Sequence, residues 1–228
     1  GSSWRENKLG LVFSSADLRT RRDGVTHDIL RKEYVPYIGS VDQFKEHLFE
    51  CAVRHGYGRY EQTIIVSDGA AWIRNMGDEL FPDAVQILDF YHLAENIYSF
   101  GKYLFQGDEK QYTPWAEELI GLLRNSGAEE VMKRLEGYKG KALPAGVVNP
   151  YTYLEHNRNK IDYADYKRRG YYIGSGPIES GNKTVVQKRC KQAGMRWNES
   201  TAQDMVTLKA KEESGLWGAS VRDFIMAA

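Results

Sequence analysis

Four side chains sit where carboxylate or imidazole chemistry is possible: Asp68, Asp89, His92 and Glu179. Asp68 follows the apolar run Ile64-Ile65-Val66 through Ser67 and precedes Gly69. A carboxylate at the end of a buried strand, beside a residue that permits a tight turn, can approach a metal ion or a phosphate closely. The same position also suits a cap for a helix beginning near Ala71. Asp89 and His92 follow a second apolar run, 84–88, and lie about one helical turn apart, so they can share a metal ion or orient a phosphate. Their alternative roles are a helix N-cap and a surface or packing histidine.

Glu179 stands in the stretch Gly174-Ser175-Gly176-Pro177-Ile178-Glu179-Ser180-Gly181-Asn182-Lys183, where Ser175 and Pro177 suit the opening of a helix. A first-turn acid is favoured there by the helix dipole alone. Lys183 and Gln187 follow at steps of four, which predicts one polar stripe headed by Glu179. The bases Lys183, Lys188, Arg189, Lys191 and Arg196 have no acid among them between Ser180 and Asn198. With Trp197, and with Tyr171 and Tyr172 nearby, they form a surface for phosphates and stacked bases that does not itself read sequence. A solvated face is the alternative.

The elements that must position these groups follow from hydrophobic spacing. Strands are predicted at 8–13, 29–38, 61–66 and 84–88, with Pro36 restricting the second to a sheet edge and the polar stretch 16–28 read as a loop. Helices are predicted from Ser40 to a stop at Gly56, with Phe44, Leu48, Cys51 and Ala52 on one face, then at 72–81, 93–105, 114–137 with a break at Gly127, and 151–161. The alternation of strand and helix from 61 to 105 implies parallel neighbours, whose carboxyl ends form the active edge and carry Asp68 and Asp89.

A hydrophobic content of 42% over 228 residues supports a sizeable core. Lys plus Arg equals Asp plus Glu at 31 each, so nucleic-acid binding has to come from local clustering rather than net charge. Cys51 and Cys190 have no Cys-x-x-Cys company and suggest neither a disulfide framework nor a zinc knuckle. That default is a reducing, cytoplasmic setting. No apolar run reaches the roughly 20 residues of a membrane span, and Gly1-Ser2-Ser3 reads as a linker. Neither a P-loop nor a dinucleotide-binding glycine pattern is present.

Several blocks together resemble a known family. They are Trp4-Arg5-Glu6-Asn7-Lys8-Leu9-Gly10-Leu11-Val12-Phe13, Ser67-Asp68-Gly69-Ala70-Ala71-Trp72-Ile73, Phe81-Pro82-Asp83-Ala84-Val85-Gln86-Ile87-Leu88-Asp89-Phe90-Tyr91-His92, and Tyr172 through Lys183 with Gly194-Met195-Arg196-Trp197. In this order they look like bacterial insertion-sequence transposases of the ISKra type and their Mutator-like relatives.

The resemblance implies an α/β fold with an RNase H-like mixed sheet flanked by helices and an all-helical insertion before the last catalytic Glu. Its expected segments are 4–105 for the first part of the core, 106–165 for the insertion, and 166–228 for the return to the core. It also implies an Asp-Asp-Glu triad holding two Mg²⁺ or Mn²⁺ ions, with Asp68 as the second Asp, Glu179 as the Glu, and Asp89 and His92 as an accessory motif. DNA, as transposon ends and target, is the implied partner. A homo-oligomer assembled on it and a nucleoid-associated location go with that reading.

In the family the first Asp precedes the Trp-Arg-Glu block. Here only Gly1-Ser2-Ser3 precede it, and Asp17, Asp23 and Asp28 lie downstream of the matching strand. The expectation is a chain without the first Asp and inactive alone. Two other readings stay open: a transposase-derived, non-catalytic nucleic-acid-binding domain, and an RNase H-like nuclease acting on other nucleic acid.

Overall fold

The computed structural model describes residues 6–20, 22, 27–174, 176–188 and 198–218. The chain divides into two compact units, one formed by 1–61 with 176–228 and the other by 62–175. Among the described residues the architecture is mixed α/β, with three two-stranded sheets and several helices.

The first unit opens with β1 (Asn7–Val12), a 3-10 turn (Ser15–Asp17), and a hairpin of β2 (Leu18–Thr20) with β3 (His27–Ile29). That hairpin corrects the loop expected over 16–28. Its strands are only three residues each and too polar to announce themselves by hydrophobic alternation. β4 (Glu33–Ile38) then returns antiparallel to β1, with Leu9 opposite Pro36 and Leu11 opposite Tyr34.

The outer edge of β4 explains how Pro36 is accommodated. The Tyr34 N–H donates to Ser214 Oγ (2.9 Å) and the Ile38 N–H donates to Gln203 Oε1 (2.7 Å). Residue 36, midway between them on that edge, is the one with no N–H to satisfy. Ser40 then caps α1 (Val41–Arg54) by accepting from the Gln43 N–H, and α1 buries Phe44 and Cys51.

In the second unit β5 (Ile64–Ser67), α2 (Ala71–Leu80) and β6 (Val85–Leu88) form a strand–helix–strand unit with the strands parallel and Ser67 opposite Leu88. Four helices share a hydrophobic core with this pair: α3 (Phe90–Leu104), α4 (Glu109–Asn125), α5 (Ala128–Leu135) and α6 (Pro150–His156). A fifth, α7 (Tyr163–Arg168), capped by Asp162, was not apparent from spacing. Leu88, Leu93, Ile97, Phe100, Leu119 and Leu154 share one core, each large apolar side chain contributing about 1.5–3 kcal/mol by burial.

Two helix starts differ from expectation. α3 begins three residues before Leu93 because Asp89 caps it. α4 begins at Glu109, capped by Asp108, and carries Pro114 inside rather than at its start. The turn containing Pro114 is held by its neighbour Trp115, which lies against Phe100 and Phe105 and so closely on Gly101 that a Cβ there would stand 3.0 Å from the indole.

The chain completes the first unit with α8 (Gly176–Gly181), a π-helical turn (Asn182–Gln187) and α9 (Glu199–Glu213). Val185 and Val186, adjacent in sequence, are both buried with Tyr34, Val206 and Ala210.

Candidate functional site

The parallel register sets the first pair of candidate residues. Ser67 is opposite Leu88, and the Asp89 N–H donates to the Ser67 carbonyl (2.7 Å). Asp68 and Asp89 therefore leave neighbouring strands at the same level, about 4.8 Å apart along the hydrogen-bonding direction. Asp68 is exposed, and its Oδ1 accepts from the Ala70 N–H (2.9 Å). This local turn leads into α2 without capping it: Ala70 holds the cap position, with no side-chain bond. Gly69 adopts φ +87°, and a Cβ there would come within 2.8 Å of Leu88 Cδ1. The tight turn after Asp68 thus needs glycine for both conformation and space.

Asp89 is buried and forms the N-cap of α3, its Oδ1 accepting from the Tyr91 N–H (2.9 Å). The capping role expected as one of its two readings is formed. His92 lies in the first turn of α3 with Nδ1 3.9 Å from Glu95 Oε2.

Two tyrosines that the sequence reading missed fix the strand ends. The Tyr153 hydroxyl donates to the Asp68 carbonyl (2.9 Å) and the Tyr163 hydroxyl to the Leu88 carbonyl (2.9 Å). Burial, with the charges of Asp68 and Asp89 adding to it, pushes the Tyr153 phenol up to about 12. Burial likewise raises Tyr163, with Asp89 adding to it. Both rings therefore remain donors across the neutral range. Residues 173 and 174 cross the start of α3: the Phe90 N–H donates to the Ile173 carbonyl (3.0 Å), and a Cβ on Gly174 would lie 2.4 Å from the Tyr91 ring.

Glu179 belongs to the other unit, exposed on α8. α8 is held to β4 through Tyr34, whose hydroxyl donates to the Pro177 carbonyl (2.9 Å). A Cβ on Gly181 would stand 2.2 Å from that ring. Beyond α8 the helix widens to π geometry over Asn182–Gln187, a correction to the regular helix expected after Glu179. The widened turn brings Val185 and Val186 inward together and leaves Lys183 and Lys188 exposed, with Gln187 half-buried. Arg189, Lys191, Arg196 and Trp197 lie outside the described residues.

A second cluster, absent from the sequence reading, lies within the first unit. Glu33 on β4 and Cys51 with His55 from the end of α1 bring one carboxylate oxygen, one thiol and one ring nitrogen within 4.8 Å of one another. This Glu/Cys/His group is able to coordinate a divalent metal ion. His55 Nε2 is 3.2 Å from Glu33 Oε2, and Arg54 Nη2 donates to Glu33 Oε1 (2.6 Å). Burial opposes ionisation of Glu33, but its bonds to Arg54 and His55 outweigh that and hold the carboxyl below its ordinary value of 4.5. Burial, then the Glu33 charge, pushes the Cys51 thiol up to about 12. The available signal was Cys51-x-x-x-His55 on one helix face. Glu33 gave none, because its approach is tertiary.

Compared with family models, with curated proteins and with solved structures, the chain has no match. No helix among the described residues is long and apolar enough to cross a membrane.

Proposed function

We propose that the chain forms part of the catalytic domain of a DDE-type DNA transposase with an RNase H-like core, and that Asp68 and Glu179 are two of its metal-holding carboxylates. The observation that carries the reading is Asp68 emerging, exposed, from the carboxyl end of a parallel strand through a turn only glycine fits, level with Asp89. The order of the sequence blocks that resemble that family supports the reading.

Asp68 and Glu179 are exposed residues, and carboxylate oxygens are the hard donors that Mg²⁺ and Mn²⁺ take. Such ions, when bound, supply charge stabilisation at the attacking and leaving oxygens of a phosphodiester displacement. Tyr153 holds the Asp68 backbone, and buried Asp89, committed to the start of α3, is a positioning group. Lys183 and Lys188 contribute positive charge for DNA phosphates.

Mn²⁺ titration followed by electron paramagnetic resonance tests this. The wild-type chain binds Mn²⁺, and Asp68→Asn and Glu179→Gln each weaken it. Wild-type binding in both variants overturns the assignment. On duplex DNA, replacing Lys188, Arg189 and Lys191 by Ala reduces the salt slope by about one for each phosphate no longer neutralised.

A further inference from the structure

We propose that Glu33, Cys51 and His55 form a second metal site, of zinc class, independent of the Asp68 and Glu179 carboxylates. Three observations converge. First, the ligands come from two elements of one unit: Cys51 and His55 lie four residues apart at the end of α1, and Glu33 lies on β4. Residues at that spacing share a helix face, so both side chains project toward the strand.

Second, the distances fit a small tetrahedral ion. Zn–N, Zn–O and Zn–S bonds of about 2.0–2.3 Å at a tetrahedral angle require ligand atoms about 3.3–3.6 Å apart. The His55 Nε2 to Glu33 Oε2 separation is 3.2 Å, and all three ligand atoms fall within 4.8 Å. Closing the cluster on an ion therefore asks for movements of about 1 Å or less.

Third, the donor set selects the metal. A thiolate with an imidazole and one carboxylate favours Zn²⁺ over Mg²⁺, Mn²⁺ or Ca²⁺, which prefer all-oxygen shells. The site is also enclosed: the Cys51 residue is 0% exposed, and the His55 and Glu33 side chains are 7% and 17% exposed.

Arg54 gives the carboxylate its orientation. Its guanidinium occupies Glu33 Oε1 and leaves Oε2 turned toward His55, the arrangement in which an outer partner fixes a metal ligand. On binding, the Zn–S bond forms as the Cys51 S–H proton passes to solvent, and His55 coordinates as the neutral ring through Nε2. Three protein ligands leave the fourth tetrahedral position to a solvent molecule. The ion so held pins the last turn of α1 to β4, the strand that carries Tyr34 and hence α8.

Co²⁺ serves as the spectroscopic stand-in for Zn²⁺. Chelator-stripped full chain titrated with Co²⁺ is expected to develop a thiolate-to-cobalt charge-transfer band, with one equivalent bound, and Zn²⁺ is expected to bleach it. Cys51→Ala, which keeps the buried position apolar, abolishes the band. His55→Gln weakens Zn²⁺ affinity by more than the roughly 10–100-fold that loss of an outer partner costs. Asp68→Asn leaves the band unchanged, so the two metal assignments stand or fall separately. Absence of the band in folded wild-type chain, or its survival in Cys51→Ala, overturns the proposal and leaves Glu33, Arg54 and His55 as an ion-pair cluster only.

Discussion

Replacing Gly181 by Ala tests how α8, and with it Glu179, is held. A Cβ at this position would lie 2.2, 2.7 and 2.9 Å from three atoms of the Tyr34 ring. The ring has little room to withdraw: Tyr34 is 5% exposed, packs with Val185, Val186 and Val206, and is tethered by its hydroxyl to the Pro177 carbonyl at 2.9 Å. Overpacking of this kind costs about 1–3 kcal/mol, and pulling the hydroxyl away from Pro177 adds about 1 kcal/mol. Alanine recovers about 1 kcal/mol in helix propensity over glycine. The net is a destabilisation of about 1–3 kcal/mol.

Gly176, at the other end of the same helix, has nothing within 4 Å of its would-be Cβ. Gly176→Ala is therefore neutral or stabilising by up to about 1 kcal/mol. Urea unfolding compares the two directly. With an m-value of about 2 kcal/mol/M, a difference of about 2 kcal/mol separates the midpoints by about 1 M. Equal midpoints would refute the claim that close contact with Tyr34 holds α8.

Gly69→Ala combines a strained φ of +87° with a 2.8 Å approach to Leu88 Cδ1, and is expected to cost about 2–4 kcal/mol. Gly140→Ala, at φ +68° with open space around it, is expected to cost only about 1–2 kcal/mol. Chemical denaturation of both variants separates the steric part. Tyr163 provides a pH test: its phenol is raised above the ordinary 10.0 chiefly by burial, so the unfolded chain ionises first. The stability it contributes is fully present below pH 10.0 and is lost as pH rises beyond it. Tyr163→Phe loses the bond to the Leu88 carbonyl, lowering stability at neutral pH by about 1 kcal/mol, and unfolds with a shallower alkaline slope. An unchanged slope in that variant would remove Tyr163 from the account.

Much of the frame was legible because its elements announce themselves locally. Ser40 before an apolar helical face gave α1, and the apolar runs ending on Asp68 and Asp89 gave the parallel pair with both aspartates at its carboxyl end. What escaped was local structure with a weak signal or structure that depends on distant contacts. The β2–β3 hairpin is short and polar. α7 is six residues long. Pro114 looked like a helix start, yet the packing of Trp115 on Gly101 carries α4 through it.

The sites divide in the same way. The position of Asp68 at a strand end was readable from an apolar run followed by Gly69, whereas Tyr153 reaches its carbonyl from 85 residues away. Glu33 meets Cys51 and His55 only after β4 and α1 have packed. The absence of Cys-x-x-Cys pointed away from zinc-knuckle chemistry, and it had no bearing on a helical Cys-x-x-x-His completed by a strand carboxylate.

Iron-directed backbone scission tests the central claim most directly. Fe²⁺ replaces Mg²⁺ at carboxylate sites, and peroxide then cuts the chain beside the residues that hold it. With Zn²⁺ present to occupy the Glu33 cluster, cuts are expected next to Asp68 and next to Glu179, suppressed by excess Mg²⁺. Asp68→Asn is expected to lose the cut at its own position. Scission confined to other positions, or unaltered in Asp68→Asn, would contradict the assignment of these carboxylates as metal ligands.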